Sequence, residues 1–382
     1  NSAKPFREWF TKHANLEILI DFGENQPFEG AEMVRPSILV ITKGDQKKIF
    51  QSMFMDGTDI WEPLDVALDE HGFECSAEVL NQIEWTFQSI QKSNLANKLF
   101  SQGTPLAEYI PEGLYNGIKT ALNDAFYLDE ETYREILRED PASGELIKPM
   151  LKGADCRPWY QKADETWCII IPMGWTKQKY GEELSEQEAW SKLKSQYPGL
   201  TKHLSPYARA GRKRLDQGDY WWELRACSYY HVFLEPRIFW NDITKLPRFS
   251  WSAEEVYINQ KGYVISNPHP SLLAILQSRV NWFNISQICT PLRLRAGLWQ
   301  YQVLAQFVTR LPIPLMSGPD RDKLGTIAVK ITELASRRYQ LHQQIRHRIL
   351  TDLGTHQPPG GSEPPGGLLN NALTAWWDLD FP

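Results

Sequence analysis

The chain has 382 residues, 42% hydrophobic and 23% charged, which excludes a disordered chain and leaves room for two or three domains with a real core. Its formal charge of −6, taken whole, argues against a polyanion partner, but that total averages two unlike parts. Residues 1–150 carry 13 Lys and Arg against 26 Asp and Glu, whereas 191–350 carry 23 against 10, the compositional mark of a polyanion-binding portion. The five cysteines (Cys75, Cys156, Cys168, Cys227, Cys289) are scattered, form no C-x-x-C, and read as reduced thiols of a cytoplasmic protein. No apolar run approaches the roughly 18 residues that would span a membrane, so no membrane partner is expected. The start, Asn1-Ser-Ala-Lys-Pro5, has neither a signal peptide nor an initiator Met and reads as an excised fragment or a chain lacking its natural start.

In chain order, Pro5–Ala14 suits a short helix with Phe6, Trp9 and Phe10 on one face. Leu16–Phe22 and Pro36–Thr42 are compact apolar runs, each the pattern of a buried strand. Residues 60–100 read as helical from Val79, Ile83, Trp85, Phe87, Ile90, Leu95 and Leu99, until Gly103-Thr-Pro breaks the run. Short strands and loops dominate 104–300, with helices predicted at 129–139, 185–196 and 271–283. Ser317-Gly-Pro-Asp320 then opens a long helix whose apolar stripe Leu324, Ile327, Ile331, Leu334, Leu341 and Ile345 resembles a docking seam. Gly354 stops it, and His356–Gly367 is a Pro/Gly linker before the apolar segment Leu373–Phe381, which is expected to dock.

Motifs of catalysis are missing. Asn267-Pro-His-Pro270 approaches the Asn-Pro-Pro-aromatic motif that holds a flipped adenine, but it lacks the aromatic stacking face and serves as a helix entry. No Gly-rich loop lies between a strand and a helix, and no Gly-x-Ser-x-Gly or paired-carboxylate nuclease site occurs. His342 and His347 lie five apart, about 140° round a helix, and cannot share a metal. Neither catalytic residues, a cofactor site nor a metal site is therefore expected in this chain.

The positive signal is a basic, aromatic-rich stretch over 202–251 containing Arg209, Arg212, Lys213, Arg214, Trp221, Trp222, Arg225, Arg237, Lys245 and Arg248. Guanidinium forks suit phosphate oxygens and guanine edges, and exposed aromatics stack on unpaired bases. Residues 271–318 add Arg279, Arg293, Arg295 and Arg310 without a single acid, and Arg293 and Arg295 would project from one side of an extended segment.

Several stretches, taken in order, resemble one family: the adenine-specific DNA methyltransferases of type II restriction–modification systems, above all the fused, type IIG-like methylase–endonucleases with a TaqI-like specificity domain. Phe6-Arg-Glu-Trp-Phe through Ile18-Leu-Ile-Asp-Phe-Gly, Pro27-Phe-Glu-Gly-Ala and Ser37-Ile-Leu-Val-Ile are similar to the end of its methyltransferase domain. Tyr115–Phe126 resembles the segment that opens its target-recognition region, and Ile147–Trp159 its G-x-D-x-x-x-W/Y signature. Trp222-Glu-Leu-Arg, Pro236-Arg-Ile-Phe-Trp, Leu272–Ser278 and Leu311-Pro-Ile-Pro follow in family order. Ala121 stands where the family pattern has Gly, and Ala154-Asp-Cys-Arg157 is a looser form of its Gly-Lys/Arg-Asp-Ile.

The resemblance implies an α+β chain with the remnant edge of a Rossmann-like methyltransferase sheet at 1–50 and a helical connector at 51–103. A mixed α/β target-recognition domain would follow at 104–318, a long helix at 319–353 and a linker with a docking tail at 354–382. It further implies double-stranded DNA as partner, an upstream methyltransferase domain or subunit, and S-adenosylmethionine as cofactor of the full-length parent. The expected DNA contacts are Lys152, Arg157, Arg209, Arg212, Lys213, Arg214, Trp221, Trp222, Arg225, Arg237, Lys245, Arg293 and Arg295. Two rivals stand beside this reading: a separate specificity subunit that docks a methylase through its long helix, and a nuclease with an unrecognised site.

Overall fold

The first apolar run forms a strand, Ala14–Asp21, at the inside of a four-stranded sheet. The computed structural model describes residues 4–23, 25, 27–28, 36–55, 63–81, 85, 87–110, 112–162, 166–295 and 298–352. The architecture is α+β, with several small sheets, short helices and one long helix, Gly318–Asp352. Its contacts divide the chain into two units: Asn1–Pro111 with Asp242–Pro247 and Ser278–Leu315, and Glu112–Asn241 with Arg248–Gln277 and Met316–Pro382.

In the first unit, Ala14–Asp21 pairs antiparallel with Ser37–Lys43 and parallel with Ile49–Phe54, which pairs antiparallel with Phe73–Ser76. Phe10, Leu16, Leu19, Phe50 and Leu80 close one buried cluster, while Ile20, Phe22, Met53, Met55 and Ala67 close another. The second apolar run departs from expectation. Ser37–Lys43 is exposed along its whole length, with Leu39 at 49% and Ile41 at 51%, because an edge strand has one paired neighbour and nothing covers its faces.

The continuous helix expected over 60–100 is also corrected. Helices cover Leu64–His71 and Ile90–Gln102, but Gly72 ends the first and Phe73–Ser76 becomes a strand paired with Ile49–Phe54. Tertiary pairing has overridden a helix-like spacing. Ile83 lies outside the described residues. A second sheet of this unit joins Ile243–Thr244, Leu298–Gln302 and Thr290–Arg295.

In the second unit, one sheet orders Ser250–Ser252, Arg237–Asn241, Gly262–Ser266 and Leu114–Asn116 as antiparallel neighbours. Another joins Tyr257–Ile258, Ile147–Leu151, Trp167–Ile169 and Tyr127–Leu128. The predicted helices at 129–139 and 185–196 are present as Glu130–Glu139 and Glu186–Gln196, capped by Asp129 and by a Ser185/Glu188 capping box. The helix expected at 271–283 is two helices, Ser271–Gln277 in this unit and Arg279–Ile288 in the first. Ser278 adopts an extended backbone and caps the second.

The long helix is as expected, and its seam is so in part: Leu324, Ile331 and Ile345 are half-buried. It packs on Ser271–Gln277 through buried Ala328 and through Gly325, where an added Cβ would lie 2.9 Å from the His269 ring. Ile327, Leu334 and Leu341 of the expected stripe are exposed, because small residues bring the helix closest to its neighbour along a different line. The linker and tail expected at 354–382 lie outside the described residues.

Ala121, where the family pattern has Gly, sits at φ +56°, a backbone region that suits glycine. Ala121→Gly is expected to raise stability by about 1 kcal/mol and Ala121→Val to lower it, both read from the thermal unfolding midpoint.

Candidate nucleic-acid interface

The Tyr220–Leu224 stretch is a core knot rather than a stacking platform. Trp222 is fully buried and Trp221 nearly so; Tyr220 stacks on Trp222 at 4.8 Å, and Trp190 packs against both tryptophans. The Trp222 indole donates to Thr176 Oγ1 at 3.0 Å. Between these rings the Glu223 carboxylate, wholly buried, accepts backbone N–H bonds from Thr176 at 2.9 Å and Asp219 at 2.8 Å. Trp221 and Trp222 therefore leave the set of DNA-contact candidates, their faces being spent on packing.

Two arginines leave with them. Arg214 is buried over the Phe126 ring and donates to the carbonyls of Thr120, Trp221 and Glu223. Arg237 is fully buried and donates to the carbonyls of Glu235 and Glu254. Burial pushes both guanidinium pKa values down to about 10, so each keeps its proton at neutral pH while carbonyl oxygens occupy its donors.

The cations around this knot point outward. Arg209, Lys213 and Arg225 are exposed, and among the described residues none of them pairs with a carboxylate. Their neighbours do pair: Arg212 with Glu186 at 2.7 Å, Lys119 with Asp216 at 2.5 Å, and Lys177 with Asp219 at 3.0 Å. Arg212, although exposed, is thus engaged, and it also lies over the Trp221 ring.

Lys152 and Arg157 lie on a short excursion that follows the strand Ile147–Leu151. A bridge between Cys156 and Gln161 closes it, and Trp159 sits at its tip with φ +78°, where glycine is usual. The tip is stitched to the neighbouring strand: Trp159 N–H donates to Phe249 at 3.0 Å, and Trp251 N–H to Trp159 at 3.3 Å. Holding Trp in this region costs about 1–3 kcal/mol, which the two flanking hydrogen bonds offset. Tyr160 lies 5.3 Å from the Tyr339 ring of the long helix, and Lys162 lies over that same ring. From 334 to 351 the helix carries Arg337, Arg338, Arg346 and Arg348 and no acid, and Arg337 and Arg338 are exposed.

Arg248, Arg337 and Arg338 belong to this basic face; sequence reasoning places Arg248 in the basic stretch without counting it among the expected contacts, and does not single out Arg337 or Arg338. The acid-free run at the helix end was the available signal, but it also fits plain dipole compensation. In the first unit, half-buried Lys245 follows the strand Ile243–Thr244, and exposed Arg293 lies on Thr290–Arg295 in the same sheet. Arg293 donates to Gln300 Oε1 at 2.8 Å, and the Arg295 side chain lies outside the described structure. All five cysteines are free thiols, and no group of His, Cys, Asp and Glu among the described residues could hold a metal. No helix among them is long and apolar enough to cross a membrane.

No protein-family model matches the chain, and no curated protein does. Two solved structures are similar in chain trace. The type IIL restriction–modification enzyme MmeI, described in complex with DNA, matches with a TM-score of 0.48 and 10% identity over 85% of this chain and 38% of its own. The type IIG restriction endonuclease BpuSI matches with a TM-score of 0.41 and 13% identity over 86% of this chain and 40% of its own. The chain thus spans about two-fifths of the length of each.

Arg214 and Lys213 are adjacent in sequence and opposite in role. Arg214→Met strips three carbonyls of their donor and is expected to cost about 3 kcal/mol, seen as a lower thermal midpoint at low and high salt alike. Lys213→Met should leave the midpoint within about 0.5 kcal/mol.

Proposed function

We propose that this chain binds double-stranded DNA sequence-specifically, as the target-recognition part of an N6-adenine DNA methyltransferase of a type II, IIG-like restriction–modification system. In this reading the first unit's four-stranded sheet is the edge of the methyltransferase domain. The second unit grips and reads the duplex, and catalysis belongs to a part of the protein that this sequence does not include. S-adenosylmethionine would serve that part; no Gly-rich loop between strand and helix occurs in this sequence to hold it. The chain alone is expected to show no methyltransferase activity.

One observation carries the reading. Among the described residues Lys152, Arg209, Lys213 and Arg225 are exposed and form no ion pair with a carboxylate, although ion pairs are common around them and Arg225 lies in the field of Asp216, which pairs with Lys119. An exposed cation that no internal acid neutralises keeps its charge for an external polyanion. The ordered family-like segments supply the kind of polyanion: an enzyme acting on a base within a duplex must hold phosphates and read a groove. The docking-subunit alternative is favoured by one observation, the exposed Ile327, Leu334 and Leu341 on the long helix.

Fluorescence anisotropy with a labelled duplex tests the reading. Neutralising about 6–10 phosphates would weaken binding by about 10³–10⁵ between roughly 50 and 200 mM salt. Replacing Arg209, Lys213 and Arg225 together by Gln should weaken binding and flatten that salt dependence while the thermal midpoint holds. Absence of salt-sensitive duplex binding at low ionic strength would sink the proposal. Complex formation with an added methylase that Leu334→Glu abolishes would favour the alternative.

A further inference from the structure

The excursion at 152–162 does more than display two more cations. Its parallel bridge sets Trp159 opposite Ser250, so Arg157 and Arg248 each lie two residues before the bridge on adjacent segments. The bridge holds the turn that carries Arg157 against the segment that carries Arg248, and both guanidinium groups act on the buried Cys156 thiol as well as on each other. Among the described residues neither guanidinium is paired with a carboxylate. The Arg248 Nε and the Oε1 of nearby Gln161 are both buried without a hydrogen-bond partner. Lys152, exposed and without an acid partner among the described residues, lies on the same excursion.

The Asp155 carboxyl acts on the same Cys156 thiol as the two guanidinium groups, but among the described residues it forms no ion pair with either, and two like charges brought together so are unfavourable as they stand. Burial first, and Arg157 second, lower the proton affinity of Arg248, the opposite of what a carboxylate neighbour would do. The charge of a bound anion would offset both effects. A guanine edge takes one guanidinium fork, whereas two adjacent forks suit separate oxygens of one phosphate.

We propose that Arg157 and Arg248 form a paired-guanidinium clamp for one phosphodiester group of the DNA backbone, an assignment that rests on the duplex-binding reading above. The clamp fixes the position of the recognition unit along the duplex and reads no base.

The test uses the full chain and duplex anisotropy over a salt series, with wild type, Arg157→Gln/Arg248→Gln and Arg157→Lys/Arg248→Lys. The Gln pair should bind about 10–100-fold more weakly on every duplex alike, with a log–log salt slope shallower by about 1. The Lys pair keeps the charge and loses the forks, so it should lose affinity at nearly unchanged slope. It also decides the matter if the Gln pair fails to fold. Wild-type binding with no change in either variant overturns the clamp and leaves the duplex reading standing. A loss confined to one sequence overturns the phosphate assignment in favour of a base contact. If wild type binds no duplex, the reading itself fails. If inorganic phosphate then raises the thermal midpoint of wild type but not of the Gln pair, the site takes a free oxyanion instead of DNA.

Discussion

Glu223 is withdrawn from solvent entirely, and its carboxylate is met by the backbone N–H groups of Gly174, Thr176, Asp219 and Tyr220. Nine residues earlier, Arg214 does the converse, its guanidinium taking the carbonyls of Thr120, Trp221 and Glu223. One group collects donors and the other acceptors, so a loop with no regular secondary structure meets the requirement that buried backbone be hydrogen-bonded. The second unit's exposed cations depend on this arrangement. Arg209 and Lys213 precede the knot and Arg225 follows it, each on backbone that the buried pair of charges holds in place. The positive φ of Ala121 belongs to the same device, because that residue directly follows the Thr120 carbonyl that receives Arg214.

What could be read from the sequence was local. Asp129 and the Ser185/Glu188 box mark helix starts that the structure keeps, and Ser317 caps the long helix through Asp320. The central strand Ala14–Asp21 was equally legible, since its apolar run is buried beside two neighbours. The run at Ser37–Lys43 is just as apolar and lies exposed; pairing at an edge is decided by neighbours, which periodicity does not encode. The interval 73–76 failed for a related reason, being claimed by pairing with Ile49–Phe54, whereas Ala77–Asn81 keeps a short 3-10 helix.

The basic residues divide along the same line. Charge counting located the basic region but could not say where a guanidinium sends its donors. Arg214 and Lys213 are neighbours in the same basic run, yet three carbonyls separated by up to 103 residues of sequence decide that one is structural. The neighbourhood of Arg157 and Arg248 was illegible for the same reason. It exists only because a bridge joins residues 159 and 250 across the fold.

That bridge also gives the strain at Trp159 a role. A glycine at the tip would relax the backbone, but it would also leave the excursion freer to sample other conformations. Trp159 at φ +78° is held by hydrogen bonds on both sides, to Phe249 and from Trp251, and those bonds hold the turn that carries Arg157 against the segment that carries Arg248. Two repelling cations will separate along any soft coordinate, so they stay adjacent only where the backbone beneath them cannot slip. Here the stiffness of the turn supplies that restraint before any anion arrives, and pre-organised charge binds with less ordering to do on contact.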